Sequence, residues 1–249
     1  MKKEFNSPIL QSANINQVTL ENRRYYELEG GEKYTSVTTF LSKTKSEKDK
    51  KTLNDWRKRV GKDEADKVSK EATTFGKKLH RIFELFLLNK FSEDLFDGDD
   101  YLKERFIPIK EFLEEKVDVF LGSEIMVYSH TLQLAGSVDL VYKDKEGNVI
   151  VCDLKTSKKK KRIEWCEDYA LQILIYSLMV HELFSLEINK GLILFSYSDT
   201  THEPILFSPE KYFGTLHNRI KTFRNILREE KRLENQNYTD EVLTENEDN

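Results

Sequence analysis

Cysteine is almost missing from these 249 residues, with Cys152 and Cys166 the only two. Neither their number nor their spacing suits an iron–sulfur cluster or a Cys-rich zinc site, and both are expected to be core or incidental thiols. Proline and glycine are also scarce, at 4 and 10 residues. No apolar run is long enough to cross a bilayer, and the start MKKEFNSPIL lacks the apolar core of a secretion signal. The expectation is a reducing, cytoplasmic setting and no contact with membrane. An excess of positive charge is lacking too: 40 basic against 44 acidic residues give a net charge of −4. A general attraction to nucleic acid is therefore absent, and any polyanion has to bind through a local patch. What remains is 38% hydrophobic and 34% charged residues, the balance of a helix-rich globular chain. Its length suits one domain.

The most informative stretch is GSVDLVYKDKEGNVIVCDLK, residues 136–155. Two apolar, β-branched runs flank the turn-forming Lys145, Glu146, Gly147 and Asn148, the pattern of a hairpin. Alternation along the second run puts Asp153 and Lys155 on one face, with Cys152 and Leu154 on the other. Asp139 interrupts the first run and comes opposite them. Two carboxylates on a half-buried sheet repel and lose solvation, so a cation is expected between them. A hard divalent ion with oxygen ligands suits the place, leaving Lys155 to stabilise charge at a phosphate or to orient the attacking water. The plain alternative is a charged strand end at the sheet rim.

The rest of the chain supplies further candidates. Residues 1–22 form an N-terminal arm, and Gly30 and Gly31 turn a second hairpin. Ser36 then either caps a short helix or offers its hydroxyl to a phosphate. Residues 47–60 are helical, carrying Trp56 and the cluster Arg57, Lys58 and Arg59. Residues 62–89 form a long helix on which Gly76, His80 and Glu84 share a face. His80 is either a satisfied core histidine or a ligand, and Gly76 one turn earlier lets another backbone or a substrate approach. Imidazole in the ligand set would tilt preference from magnesium toward manganese. A helix over 100–118 is kinked or divided by Pro108. Glu124, opening the strand before the hairpin, is a third acidic ligand or a surface glutamate. After Lys155 the run Lys158, Lys159, Lys160, Lys161 and Arg162 is the one dense basic patch, placed to steer a phosphate backbone. In the helix over 163–185, Gln172 either holds water or a ligand or simply packs, and Tyr176 one turn on can meet a sugar or phosphate. Strands near 191–198 and 203–207, a helix from 209 to about 233 and a disordered acidic tail over 236–249 complete the chain.

Together, GSVD, then DLKTSK, then a helix bearing Gln172 and Tyr176, all preceded by Gly76-x-x-x-His80, resemble the RecB-like branch of the PD-(D/E)XK nuclease superfamily. YTSVTTFL at 34–41, LNDWRKRVG at 53–61, EADKVSKEAT at 64–73 and YALQILIYSLM at 169–179 are similar to the mitochondrial genome maintenance exonucleases and their phage relatives. The resemblance covers roughly residues 23–200. It implies an α/β restriction-endonuclease-like core, a central mixed β-sheet flanked by α-helices with a helical N-terminal region, within one nuclease domain over 23–235. It implies a DNA exonuclease that threads single strands with free ends and uses one or two Mg2+ or Mn2+ ions, working as a monomer alongside replication or recombination proteins.

Carried over by position, the resemblance makes His80, Asp139 and Asp153 metal ligands, joined by the Leu154 carbonyl and, less directly, by Glu124. Lys155 becomes the catalytic lysine and Gln172 an active-site support, while Ser36, Thr38, Trp56 and Arg57 fall in DNA-contacting segments. Phe75-Gly76-Lys77 departs from the Arg-Gly-Thr common among relatives, which removes one arginine from the phosphate. The four-cysteine staple of the iron–sulfur relatives is missing as well. No Arg-rich amphipathic presequence precedes the domain, so a phage or bacterial source is expected. Two alternatives stay open: a structure-specific endonuclease on the same scaffold, and a catalytically silent DNA-binding replication or recombination factor.

Overall fold

The computed structural model describes the backbone of residues 3–20 and 23–247 and, in the last helix, side chains no further than residue 236. Three strands open it: β1 (Ile15–Leu20), β2 (Arg23–Leu28) and β3 (Lys33–Ser36). β1 pairs antiparallel with β2, and β2 with β3. The segment expected to be a loose arm is therefore in part a strand, and ahead of it Phe5 is buried against Phe86 and Phe120. The alternation in INQVTL is too polar to announce a strand; pairing with β2 supplies what propensity does not.

Helix α1 (Val37–Lys43) follows at once. Ser36 is its cap, accepting from the Thr39 N–H at 3.1 Å, a bond worth about 1 kcal/mol. Helix α2 (Glu47–Val60) is capped by Ser46 and buries none of its residues. Gly61, at φ +86°, turns the chain into α3 (Lys62–Leu87). The first half of α3 buries only Ala65, whereas Leu79, Ile82, Phe83 and Leu85 to Leu87 are buried in the second half. α2 and the start of α3 thus stand away from the core, leaning on each other through an Arg57–Asp66 ion pair.

Helix α4 (Asp100–Lys116) stays one helix through Pro108. Neither the kink nor the division expected there breaks its span, and Asp99 caps it by accepting from the Leu102 N–H at 3.0 Å. Strands β4 (Val119–Ser129), β5 (Leu134–Lys143) and β6 (Val149–Ser157) form the centre of the sheet. They are followed by α5 (Glu167–Phe184), β7 (Lys190–Tyr197), β8 (His202–Phe207) and α6 (Phe213–Glu247). The acidic end read as a tail, 236–249, lies beyond residue 236 outside the described side chains, and the bounds of α6 run into it.

The sheet runs β1-β2-β3-β5-β6-β7-β8, with β4 paired to β5 off that path. It is mixed: β3 is parallel to β5 and β6 to β7, and the other pairs are antiparallel. Val149 and Val151 pack toward α5, while Ile150, Cys152 and Leu154 pack toward α3 and α4. The alternation read from the sequence is the reason both faces of β6 are covered.

The pairing leaves a gap in the sheet. The β5–β6 ladder ends at Leu140↔Cys152, and β3 joins the same edge of β5 only at Thr35↔Leu134 and Ser36↔Ala135. Between these contacts, over Gly136 to Asp139, no strand among the described residues pairs with β5 on that side.

Candidate active site

The gap in the sheet opens into a cleft of about 800 Å³. β5 and β6 bring Asp139, Asp153, Leu154 and Lys155 to it, β4 brings Glu124, α3 brings His80, and α5 brings Gln172 and Tyr176. One ligand atom each from His80, Glu124 and Asp139 falls within 4.8 Å of the others, the spacing of a shared cation. His80 Nδ1 lies 3.5 Å from Asp139 Oδ2. That same oxygen accepts from the Leu154 N–H at 2.8 Å, and Glu124 Oε2 accepts from the Ser137 hydroxyl at 2.8 Å. Glu124 is held at φ +50°, left-handed backbone that costs a non-glycine residue about 1–2 kcal/mol. Its register, between Ser123↔Leu140 and Ile125↔Val138, places it across from Asp139.

Asp153 stands beside this trio without belonging to it. It is 1% exposed, and its Oδ2 is 2.5 Å from Lys155 Nζ. Lys155 is the ion-pair partner of that buried oxygen, and no further donor among the described residues reaches it. A buried carboxylate is costly without cationic partners, and a divalent ion would add to the one that Lys155 supplies. The Glu124 and Asp139 carboxylates, the His80 imidazole and the neighbouring Asp153 carboxylate fit a divalent metal.

The electrostatics agree with crowding of negative charge. Burial first, and then Asp153, push Asp139 up to about 8. Burial and Asp139 raise Glu124 as well, while burial and the Lys155 ammonium lower His80, keeping its imidazole neutral and able to bind metal. Burial alone would lower Lys155, but Asp153 and Asp139 outweigh it and the amine is held above its ordinary value. Lys155 also lies 5.6 Å from the centre of the Tyr169 ring.

The other sequence candidates separate into two groups. Ser36 and Thr38 line the cleft, and the buried Ser36 side chain caps α1. Gln172 donates to the Tyr176 hydroxyl at 3.4 Å. Gly76 lines the cleft too, although an added Cβ would meet only Thr156 Oγ1 at 3.7 Å, so the fold itself does not demand glycine there. The position that does is Gly136, where a Cβ would fall 2.8 Å from Tyr176 Cε1. Glu84 is turned to Arg81, which donates to it at 2.6 Å.

Trp56, Lys158 and Lys159 lie outside the cleft and line a neighbouring groove together with Arg59 and Lys161. Arg57 is paired with Asp66, and Lys160 lines neither hollow. Sequence reasoning passed over Arg24 and Lys77, two exposed cations on the cleft wall. Arg24 shares a face of β2 with buried Tyr26, which alternation alone could have shown. Lys77 stands next to the place where the family-like arginine is lost.

A mixed sheet flanked by helices, opened over carboxylates, an imidazole and a lysine, defines a restriction-endonuclease-like α/β fold. The chain belongs to the PD-(D/E)XK nuclease superfamily, whose family model matches residues 35–247. Two solved structures are similar over part of the chain. One is a candidate exonuclease from Eubacterium rectale, 15% identical with a TM-score of 0.45, covering 63% of this chain and 66% of that one. The other, SSO0001, is 16% identical with a TM-score of 0.27, covering 61% of this chain and 71% of that one. No curated protein matches the sequence significantly. Among the described residues no helix is long and apolar enough to cross a membrane.

Proposed function

We propose that this nuclease is a metal-dependent exonuclease that hydrolyses phosphodiester bonds of single-stranded DNA from free ends. The observation that carries the reading is the convergence of His80, Glu124 and Asp139 within 4.8 Å, beside the buried Asp153 and Lys155. His80, Glu124, Asp139 and Asp153 hold one or two Mg2+ or Mn2+ ions, with the Leu154 carbonyl as a further oxygen donor. A divalent ion bound there supplies Lewis acidity at the phosphate and lowers the pKa of the attacking water.

The chain's own groups do the rest. The Lys155 ammonium faces the charge that develops on the phosphate oxygens, held in place by Asp153 so that little reorganisation accompanies the reaction. Gln172 and Tyr176, linked to each other, orient water or the sugar beside it. Arg24 and Lys77 hold neighbouring phosphates on the cleft wall. In the reaction the water oxygen bonds to phosphorus, the bond to the leaving oxygen breaks, and that oxygen leaves with a proton. Free ends are taken as the substrate: residues of α2 and of the lysine run line the adjoining groove, which guides a strand toward the cleft.

The test uses end-labelled linear and closed circular single strands with Mg2+, Mn2+ or EDTA. Linear strands should be shortened only with metal, and circles should persist. Circles cut as fast as linear strands would replace this reading with an endonuclease. Intact linear strands under every metal would replace it with a DNA-binding factor.

A further inference from the structure

The cleft is the first of three hollows that follow one another along the chain as β6 ends. Thr156 lines the cleft, and Ser157, Lys158, Lys159 and Lys161 line a second groove of about 1100 Å³ whose far wall carries Trp56. Lys161, Arg162, Glu164 and Trp165 line a third, a shallow hollow of about 840 Å³ that Glu203 to Leu206 of β8 also line. The connecting loop is anchored through its main chain. The Ser198 hydroxyl donates to the Lys158 carbonyl at 2.7 Å, and the Lys161 N–H donates to the Tyr197 hydroxyl at 3.2 Å. The loop backbone is thereby tied down, while Lys158, Lys159 and Lys160 are exposed.

In the third groove Trp165 is 64% exposed, an unusual setting for the largest apolar side chain. The Arg162 guanidinium lies 5.4 Å from its ring centre. The acid on the facing wall, Glu203, is engaged by the Tyr197 hydroxyl at 2.9 Å. An open indole face beside a guanidinium, at the end of a run of cations, matches single-stranded nucleic acid: bases stack on the flat groups while phosphates follow the charge.

Resting on the nuclease reading above, we infer that Trp165 and Arg162 form a stacking site for a nucleobase several nucleotides from the bond being cut. Lys158, Lys159 and Lys161 carry the intervening backbone past Trp56. The site fixes how much flanking single strand the protein grips, so affinity depends on strand length.

The chain has 2 tryptophans, which makes the test direct. Trp56→Phe leaves Trp165 as the sole indole reporter, and Trp165→Phe leaves Trp56. Each is titrated in EDTA with oligo(dT) from about 4 to about 20 nucleotides, lengths bracketing the footprints of single-strand grooves. Quenching of Trp165 is expected with long strands and not with the shortest. Trp165→Ala should weaken binding of long strands about tenfold, the loss of one stacked base, and leave the shortest unchanged, with Trp165→Phe retaining most of the affinity.

Trp165 emission indifferent to every length, in a protein that still binds DNA, overturns the site and leaves its apolar surface to a protein partner. Quenching by the shortest strand overturns the distance. Cleavage without Trp165 quenching removes this inference alone, whereas quenching without cleavage under any metal removes the nuclease reading and keeps the track.

Discussion

Asp139 is held under conditions hostile to a carboxylate, and removing its charge should stabilise the metal-free protein. Burial and Asp153 set its pKa at about 8 in the folded chain, against about 3.9 unfolded. Because the folded value is the higher one, the stability it contributes is fully present below about pH 4 and is lost as pH rises through about 8. At 1.36 kcal/mol per unit the full difference sets a ceiling of about 6 kcal/mol. Relaxation and water entry into the cleft cut the realised part to about 1–3 kcal/mol.

Asp139→Asn keeps an oxygen to accept from the Leu154 N–H, so the bond observed there at 2.8 Å survives. In EDTA at pH 8 the variant should therefore melt about 2–12 °C above the wild type, using the usual 2–4 °C per kcal/mol for a chain of this size. Circular dichroism melts at intervals from pH 4 to 8.5 read the effect, and the gap should close toward pH 4. Mn2+ should then raise the wild-type Tm and leave the variant nearly unmoved. A variant less stable than wild type at pH 8 without metal, or a gap independent of pH, refutes the account of the site's electrostatics.

Three further outcomes follow from named contacts. Lys155→Ala should abolish cleavage in a gel assay and, because Asp153 then loses its counter-ion at 2.5 Å, cost about 3–5 kcal/mol in EDTA; an unchanged rate on single-stranded DNA would end the proposed mechanism. Neutralising Lys158, Lys159, Lys160 and Lys161 together should reduce the slope of log affinity against log salt by about 3, at roughly 0.7 per contact on single strands, and an unaltered slope shows that the run does not touch the backbone. Gly136→Ala would drive a Cβ to 2.8 Å from Tyr176 Cε1, so denaturant unfolding should show a loss of about 1–3 kcal/mol, and no loss means that Tyr176 moves aside freely.

What could be read from the sequence was local. The β5–β6 hairpin has its turn residues and its alternation side by side, and the Ser36 cap lies one residue before the helix it caps. Glu124 was harder. Its identity suggested a ligand, but its place opposite Asp139 depends on the irregularity between Phe120 and Gly122 and on a left-handed backbone, neither of which leaves a periodic trace. β1 escaped for the opposite reason, since its pairing partner rather than its own residues makes it a strand. Arg57 was placed on a DNA-contacting segment, yet Asp66 on the next helix claims its guanidinium. That pairing depends on the sharp reversal at Gly61, and the angle of such a reversal is not written in helical periodicity.

The split in the sheet explains why the demanding chemistry sits where it does. A strand that leaves its neighbour exposes backbone N–H groups that need acceptors. Here β6 parts from β5 after Cys152, and the Leu154 N–H finds the Asp139 carboxylate instead of a carbonyl. On its other edge β6 is unbroken, with Asp153 level with Ile193 and Lys155 level with Phe195 in the parallel pairing to β7. Asp153 and Lys155 are thus fixed by a complete ladder on one side and face an opening on the other, rigid without being covered. Closing the gap by extending the β5–β6 ladder would satisfy the same N–H group without a carboxylate, and it would fill the space in which His80, Glu124, Asp139 and Asp153 come together from three strands and a helix. The repulsion among those carboxylates follows from keeping the gap open, and a bound cation would relieve it.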